Sequence, residues 1–159
     1  MKFIEDKLNS IGKLNFIVFI HDNEAGKDWT NSWTIDLESV RASPETARVI
    51  PANCRLDYHL SKVLDGKSVV DADRWLHLKT IQEIDVITFE RSLKETIAKA
   101  GQLGLSVRAD PPIFQVELQN KNGDEVGEFY ILKEALANRV AAALNHAVEL
   151  CGGGSKEPF

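Results

Sequence analysis

His21, Asp22 and Glu24 place an imidazole and two carboxylates within four positions. Nitrogen and oxygen donors at that spacing could hold a divalent metal ion, and a bound metal could activate water for hydrolysis. A solvated acidic loop is the alternative reading of the same residues. Asp57 and His59 fall on the same side of an alternating segment and could pair as carboxylate and base. Cys54 has the opposite parity, which weakens a Cys–His nucleophile. His77 and His146 complete the histidines, His77 facing solvent and His146 on a helix flank. Trp29 stands between Asp28 and Thr30 in a polar stretch, where periodicity gives a large ring no reason to be. It either folds back over an open end of the sheet or, with Asp28 and with Trp33 nearby, anchors a partner.

No G-x-S-x-G, H-E-x-x-H, P-loop or G-x-G-x-x-G pattern occurs, so no cofactor is expected. The net charge of −5 and the scattered Lys and Arg argue against nucleic-acid and anionic-membrane partners. No apolar run approaches the roughly 20 residues of a membrane helix. Acidic Glu5 and Asp6 stand where a signal peptide would be apolar. A cytoplasmic protein is the default, with a mature secreted chain as the alternative. Cys54 and Cys151 fit no paired metal or redox spacing and are expected as small core residues, a disulfide being the less favoured alternative.

The elements that must position these residues follow from periodicity. Met1–Ile11 gathers Phe3, Ile4, Leu8 and Ile11 on one helical face before Gly12. Asn15–His21 is an apolar run, expected as a strand buried on both faces. Asp22–Thr30 is expected as a polar loop. Trp33–Glu38 alternates as a half-buried strand. Ser43-Pro44-Glu45 has the form of a helix start, with a turn over Pro44–Val49. Cys54–Ser61 alternates, Asp65-Gly66 signals a tight hairpin, and Lys67–Val70 returns. Asp71-Ala72-Asp73 is expected as a break. Trp75–Phe89 alternates with a phase change near Ile81–Glu83, which implies a bulge or two strands with a short connection.

Ser92 and Glu95 have capping-box spacing ahead of a short helix, which Gly101 and Gly104 end. Ile113–Gln119 and Val126–Ile131 form a hairpin about Asn122-Gly123. The last helix, Leu132–Leu150, aligns Leu132, Leu136, Val140, Ala143, Leu144, Ala147 and Leu150 on one face before Gly152–Gly154. The expectation is one α+β domain over 1–151 with a flexible tail over 152–159. Its six or seven antiparallel strands form a bent sheet or barrel closed by the C-terminal helix, with an N-terminal helix and a helical insertion near 91–104.

That order over Leu14–Leu150 resembles the pleckstrin-homology-like superfold, whose last helix plugs a bent barrel. The segment ALANRVAAALNHAVELCGG, followed by Pro158-Phe159, is also similar to a group of uncharacterised bacterial proteins. Lipid-binding members of the superfold carry Lys and Arg in the first inter-strand loop and a Trp in the last helix. Here that loop has Asp22, Glu24 and Asp28 against Lys27, and the helix has no Trp, which speaks against phosphoinositide binding. In this frame Val140 or Leu144 fills the place of the Trp, and Arg91–Asp110 is an insertion. The leading functional expectation is a non-enzymatic module binding a protein or peptide, a homodimer included, through the last helix, a sheet edge and the stretch around Trp29. The alternatives are a small apolar-ligand carrier with a cavity between sheet and helix, and a metal-assisted hydrolase built on His21, Asp22 and Glu24.

Overall fold

The structure is a computed structural model and describes residues 1–43 and 54–154. The expected turn over Pro44–Val49 and the end of the tail lie outside these residues. Among the described residues three helices and eight strands form two antiparallel sheets, and neither sheet closes into a barrel. The elements are α1 (Lys2–Ile11), β1 (Lys13–Asp22), β2 (Lys27–Ser43), β3 (Arg55–Leu64), β4 (Lys67–His77), β5 (Ile81–Thr88), α2 (Phe89–Lys99), β6 (Leu105–Asp110), β7 (Phe114–Asn120), β8 (Glu125–Ile131) and α3 (Glu134–Leu150). The five-stranded sheet runs β4-β3-β2-β1-β6 and the three-stranded sheet β5-β7-β8.

β1 buries Leu14, Phe16, Val18 and Ile20 and leaves Ile17 and Phe19 on the other face, 44% and 36% exposed. It is therefore half-buried rather than covered on both sides. The polar stretch after it is shorter than expected. Asp22 accepts the amides of Glu24 and Ala25 through Oδ1, and Gly26 takes a positive φ of 65°, so the chain reverses within four residues. Lys27–Thr30 already belong to β2 and pair with β1, Asp28 opposite His21 and Trp29 opposite Ile20.

A bulge between Glu38 and Arg41, with Ser39 at φ 57°, interrupts the pairing of β2 with β3. The freed backbone is taken up by α1. Asn9 accepts from the Val40 amide and donates to the Val40 carbonyl, both at 2.8 Å, and Glu5 accepts the Ala42 amide. Ile4 and Leu8 of α1 are buried in the common core.

Asp65 and Gly66 both have positive φ, 49° and 78°, as a two-residue hairpin requires. Asp65 also accepts from Ser32 N and Asn31 Nδ2, bonds that hold its carboxyl below the ordinary value. The return strand continues through Asp71-Ala72-Asp73 to His77, so the expected break is absent. A 3-10 turn, Leu78–Thr80, then carries the chain into the second sheet, which accounts for the phase change.

Thr88, not Ser92, caps α2 by accepting Arg91 N, and Glu95 pairs with Arg91. The region expected as an insertion ends in β6, which pairs with β1 as the other edge of the large sheet. α3 packs on β5, β7, β8 and the 3-10 turn and touches α1. Val140 and Leu144 are fully buried with Ala137, Ala141, Ala147 and Val148, while Leu132 and Leu150 are exposed. Past the helix, Gly153 N bonds Val148 O and Gly152 N bonds Glu149 O, the paired bonds of a Schellman stop. Gly154 N then reaches Ile81 O at 2.8 Å, so this part of the expected flexible tail is fastened to β5.

Cys54 and Cys151 form a disulfide, with Cα atoms 5.7 Å apart and a sequence separation of 97. It joins the start of β3 to the end of α3. The two positions are thus one covalent bridge rather than two separate core thiols.

Candidate functional site

The residues singled out by sequence separate into three places. His21, Asp28 and Trp29 line one open hollow of about 620 Å3 with Phe19, Ser106 and Arg108. There His21 Nδ1 lies 2.6 Å from Asp28 Oδ1, and the Arg108 guanidinium sits 4.3 Å from the Phe19 ring centroid. Asp22 is engaged by its own turn, whose amides from Ala25 and Glu24 hold its carboxyl low. Glu24 packs over Gly104. Among the described residues no three of His, Cys, Asp and Glu are grouped as a metal requires. Trp33 is half-buried, stacked with Phe16 at 6.5 Å and edge-on to Phe89 at 5.5 Å, so it belongs to the core rather than to a contact surface. Trp29 shares the inward parity of Ile20 and lies at the rim of the core, 40% exposed.

His59 does not pair with Asp57. It bridges two carboxylates of β4, Nδ1 to Asp73 at 2.9 Å and Nε2 to Asp71 at 2.7 Å. Those bonds, Asp73 first, raise its pKa. Asp57 lies 2.9 Å from Arg55 Nε.

A second assembly, invisible in the local sequence, sits where the sheets meet. Tyr58 and Lys62 have the same parity on β3. Tyr58 is 5.3 Å from the Phe129 ring, whereas Lys62 bonds Glu128 and the Tyr130 hydroxyl, the latter at 2.7 Å. Phe129 and Tyr130 are adjacent and point to opposite sides of β8. Residues on both sides of β8 thus reach the inward side chains of β3. Lys62 Nζ also lies 4.7 Å from the Tyr130 ring centroid.

Glu125 lies three residues before Glu128, across the register shift that leaves Val126 extra in β8, and its carboxyl bonds that of Glu128; Gln115 Nε2 approaches Glu128 at 3.4 Å. Burial, then the bond to Glu128 and the repulsion of Glu128 and Glu117, push Glu125 up to about 8. Burial alone would raise Glu128 as well, but the hydrogen bond with Glu125 and the Lys62 ammonium outweigh it and keep that carboxyl ionised. One proton is thus shared between two carboxylates above a single ammonium. Tyr130 is raised well above the usual phenol value, chiefly by burial and then by Glu128. Burial likewise pushes Tyr58 up to about 12.

These residues floor a cleft of about 190 Å3 between β3, β4 and β8, walled by Leu60, Val70, Arg74, Trp75 and Val126. Ser, Thr, Cys and His are missing from its lining, and Lys62 is held in an ion pair. The arrangement fixes charge and position where the two sheets meet.

The cleft opens toward β4, the terminal strand of its sheet. Among the described residues no strand pairs with its outer side. Ala72, Asp73, Arg74 and Trp75 line a groove of about 420 Å3 along that edge, and Trp75 is 63% exposed. Comparison with protein-family models, with curated proteins and with solved structures finds no match. No helix is long and apolar enough to cross a membrane among the described residues.

Proposed function

We propose that this chain is a non-enzymatic binding module that captures an extended segment of a protein or peptide by strand addition along β4. The observation that carries this reading is the edge strand β4, with which no strand pairs on its outer side among the described residues, and Trp75 exposed beside the Arg74 groove. A free edge offers a row of backbone donors and acceptors, and an exposed aromatic supplies an anchor. The docking edge thus lies on the large sheet, whereas α3 packs on the small one.

The carrier reading finds less support. It needs a cavity between sheet and C-terminal helix, whereas the enclosed space lined by Ile11, Leu14, Ile35, Leu37, Leu60 and Phe129 is about 10 Å3, room for one water, and has no residue of α3 in its wall. A pleckstrin-homology-like ancestry belongs to the same proposal. Consecutive hairpins from β1 to β4 and a closing C-terminal helix favour it, and the division into two sheets departs from it. The Cys54–Cys151 bridge favours an oxidising compartment, because such bonds persist there and are rare in reducing cytosol.

Hydrogen exchange in the presence of peptides displayed from a random library tests the module. Selected peptides should protect β4 amides, and Trp75→Ala should weaken them about tenfold or more. Selection of peptides that protect only the Trp29 hollow would move the site there and overturn the β4 assignment.

A further inference from the structure

We infer that the segment captured along β4 carries basic side chains at alternate positions, apposed to Asp71 and Asp73, with an apolar residue following opposite Trp75. The inference rests on the strand-addition reading above. Asp71, Asp73 and Trp75 have the same parity and pair with Ser61, His59 and Asp57 of β3 on the outer face. The side chains of Asp71 and Asp73 are 67% and 90% exposed. A strand added to β4 places every second side chain on that face, so its residues stand directly across from these three.

Opposite charges across such a pair favour association and like charges oppose it. The edge is therefore selective by its own pattern of acid, acid and aromatic. His59 bridges both carboxylates from their β3 side, away from the free edge. Further in on that face Glu38 and Arg41 of β2 stand opposite His59 and Asp57, one charge of each sign, so the acidic excess lies at Asp71 and Asp73 themselves.

A second copy of the chain is the obvious competing occupant. Antiparallel self-pairing over the whole edge, centred on Ala72, would set Asp71 of one copy against Asp73 of the other, twice. The same charges that invite a basic strand thus repel a twin. They also blunt the edge against indiscriminate pairing, the usual use of charge on such strands.

The test uses the full chain and synthetic extended peptides that differ only at two alternate positions, bearing Lys, Ser or Glu, each with a Val placed to meet Trp75. Affinity is read by fluorescence anisotropy and location by hydrogen exchange. The Lys peptide is expected to bind about tenfold tighter than the Ser peptide, to protect β4 amides, and to weaken with salt, and the Glu peptide to bind weakest. Asp71→Asn with Asp73→Asn should erase the preference. Glu134→Gln with Glu149→Gln, an equal change of net charge on exposed positions of α3, should preserve it. Thermal melting confirms that both variants fold.

Equal binding of all three peptides with β4 protected would overturn the basic partner and leave strand addition standing. No binding by any peptide would overturn both. Self-association protecting β4 would replace the partner by a second copy and overturn the inference.

Discussion

Lys62 Nζ lies 2.7 Å from the Tyr130 hydroxyl, 4.7 Å from the centre of its ring, and bonded to Glu128 one residue pair away. The Lys62 side chain is 14% exposed and that of Glu128 21%. This contact fastens the small sheet to the inner face of the large one. Removing the cation leaves a largely buried carboxylate without its counter-charge. Lys62→Met should cost about 3 kcal/mol in urea unfolding, while Lys62→Met with Glu128→Gln should recover a good part of it.

The shared proton makes stability fall with alkalinity. Glu125 is raised in the folded chain, from an ordinary 4.5 to about 8, so the folded state binds its proton more tightly than the unfolded one. That contribution is complete below about pH 4.5 and is lost as pH rises through about 8. Glu128 is shifted the other way, so its contribution is lost only as pH falls through its lowered value. Between about pH 6 and pH 9 the wild-type melting temperature should therefore decline, and Glu125→Gln should flatten the decline. An equal decline in both would place the titrating group elsewhere.

The bridge between Cys54 and Cys151 constrains an unfolded chain over 97 residues. Loop-closure entropy for that span is worth about 4.7 kcal/mol. Reduction, or Cys54→Ser with Cys151→Ser, should lower the urea midpoint accordingly without altering the far-ultraviolet spectrum of the folded state.

Gly153 occupies a site with no room for a side chain. A Cβ there would lie 2.7 Å from Leu78 O and 2.8 Å from Val148 Cγ1. The carbonyl belongs to backbone that cannot step aside. Gly153→Ala should cost about 2 kcal/mol in chemical denaturation. Gly127→Ala should be milder, because its nearest neighbour is the movable Leu76 Cδ1 at 3.2 Å.

Local chemistry made some of this legible and long-range pairing hid the rest. Asp65-Gly66 can be read because a two-residue hairpin demands positive φ, which few residues other than Gly, Asn and Asp tolerate. α3 can be read because six buried side chains repeat at helical spacing. β4 could not be followed past Val70, since an edge strand with little burial keeps its charges and loses its alternation. Leu105–Asp110 is short and only two of its residues are buried, so β6 gave no pattern to detect. Trp29 looked out of place only because the four-residue turn before it is polar; on β2 it follows the inward parity of its neighbours.

The candidate site was hidden for a different reason. Lys62 and Glu128 are 66 residues apart and meet through the approach of two separate sheets. Neither Glu125 nor Glu128 is unusual in its own hairpin, and nothing local marks them as sharing a proton. The cysteine count likewise allowed a bridge without indicating that β3 and α3 bring the two Cα atoms to 5.7 Å.

The bridge also sets how the chain would respond to force. It encloses β3 through α3 in a covalent ring, with α1, β1 and β2 outside. A pull on the two termini can straighten the outer segments, but tension bypasses the ring through the sulfurs. At about 3.4 Å per extended residue, the 97-residue span withholds roughly 330 Å of length. Single-molecule stretching should show that length appear only after a reductant is added. Under load the chain is a short tether ending in a closed knot of sheet and helix.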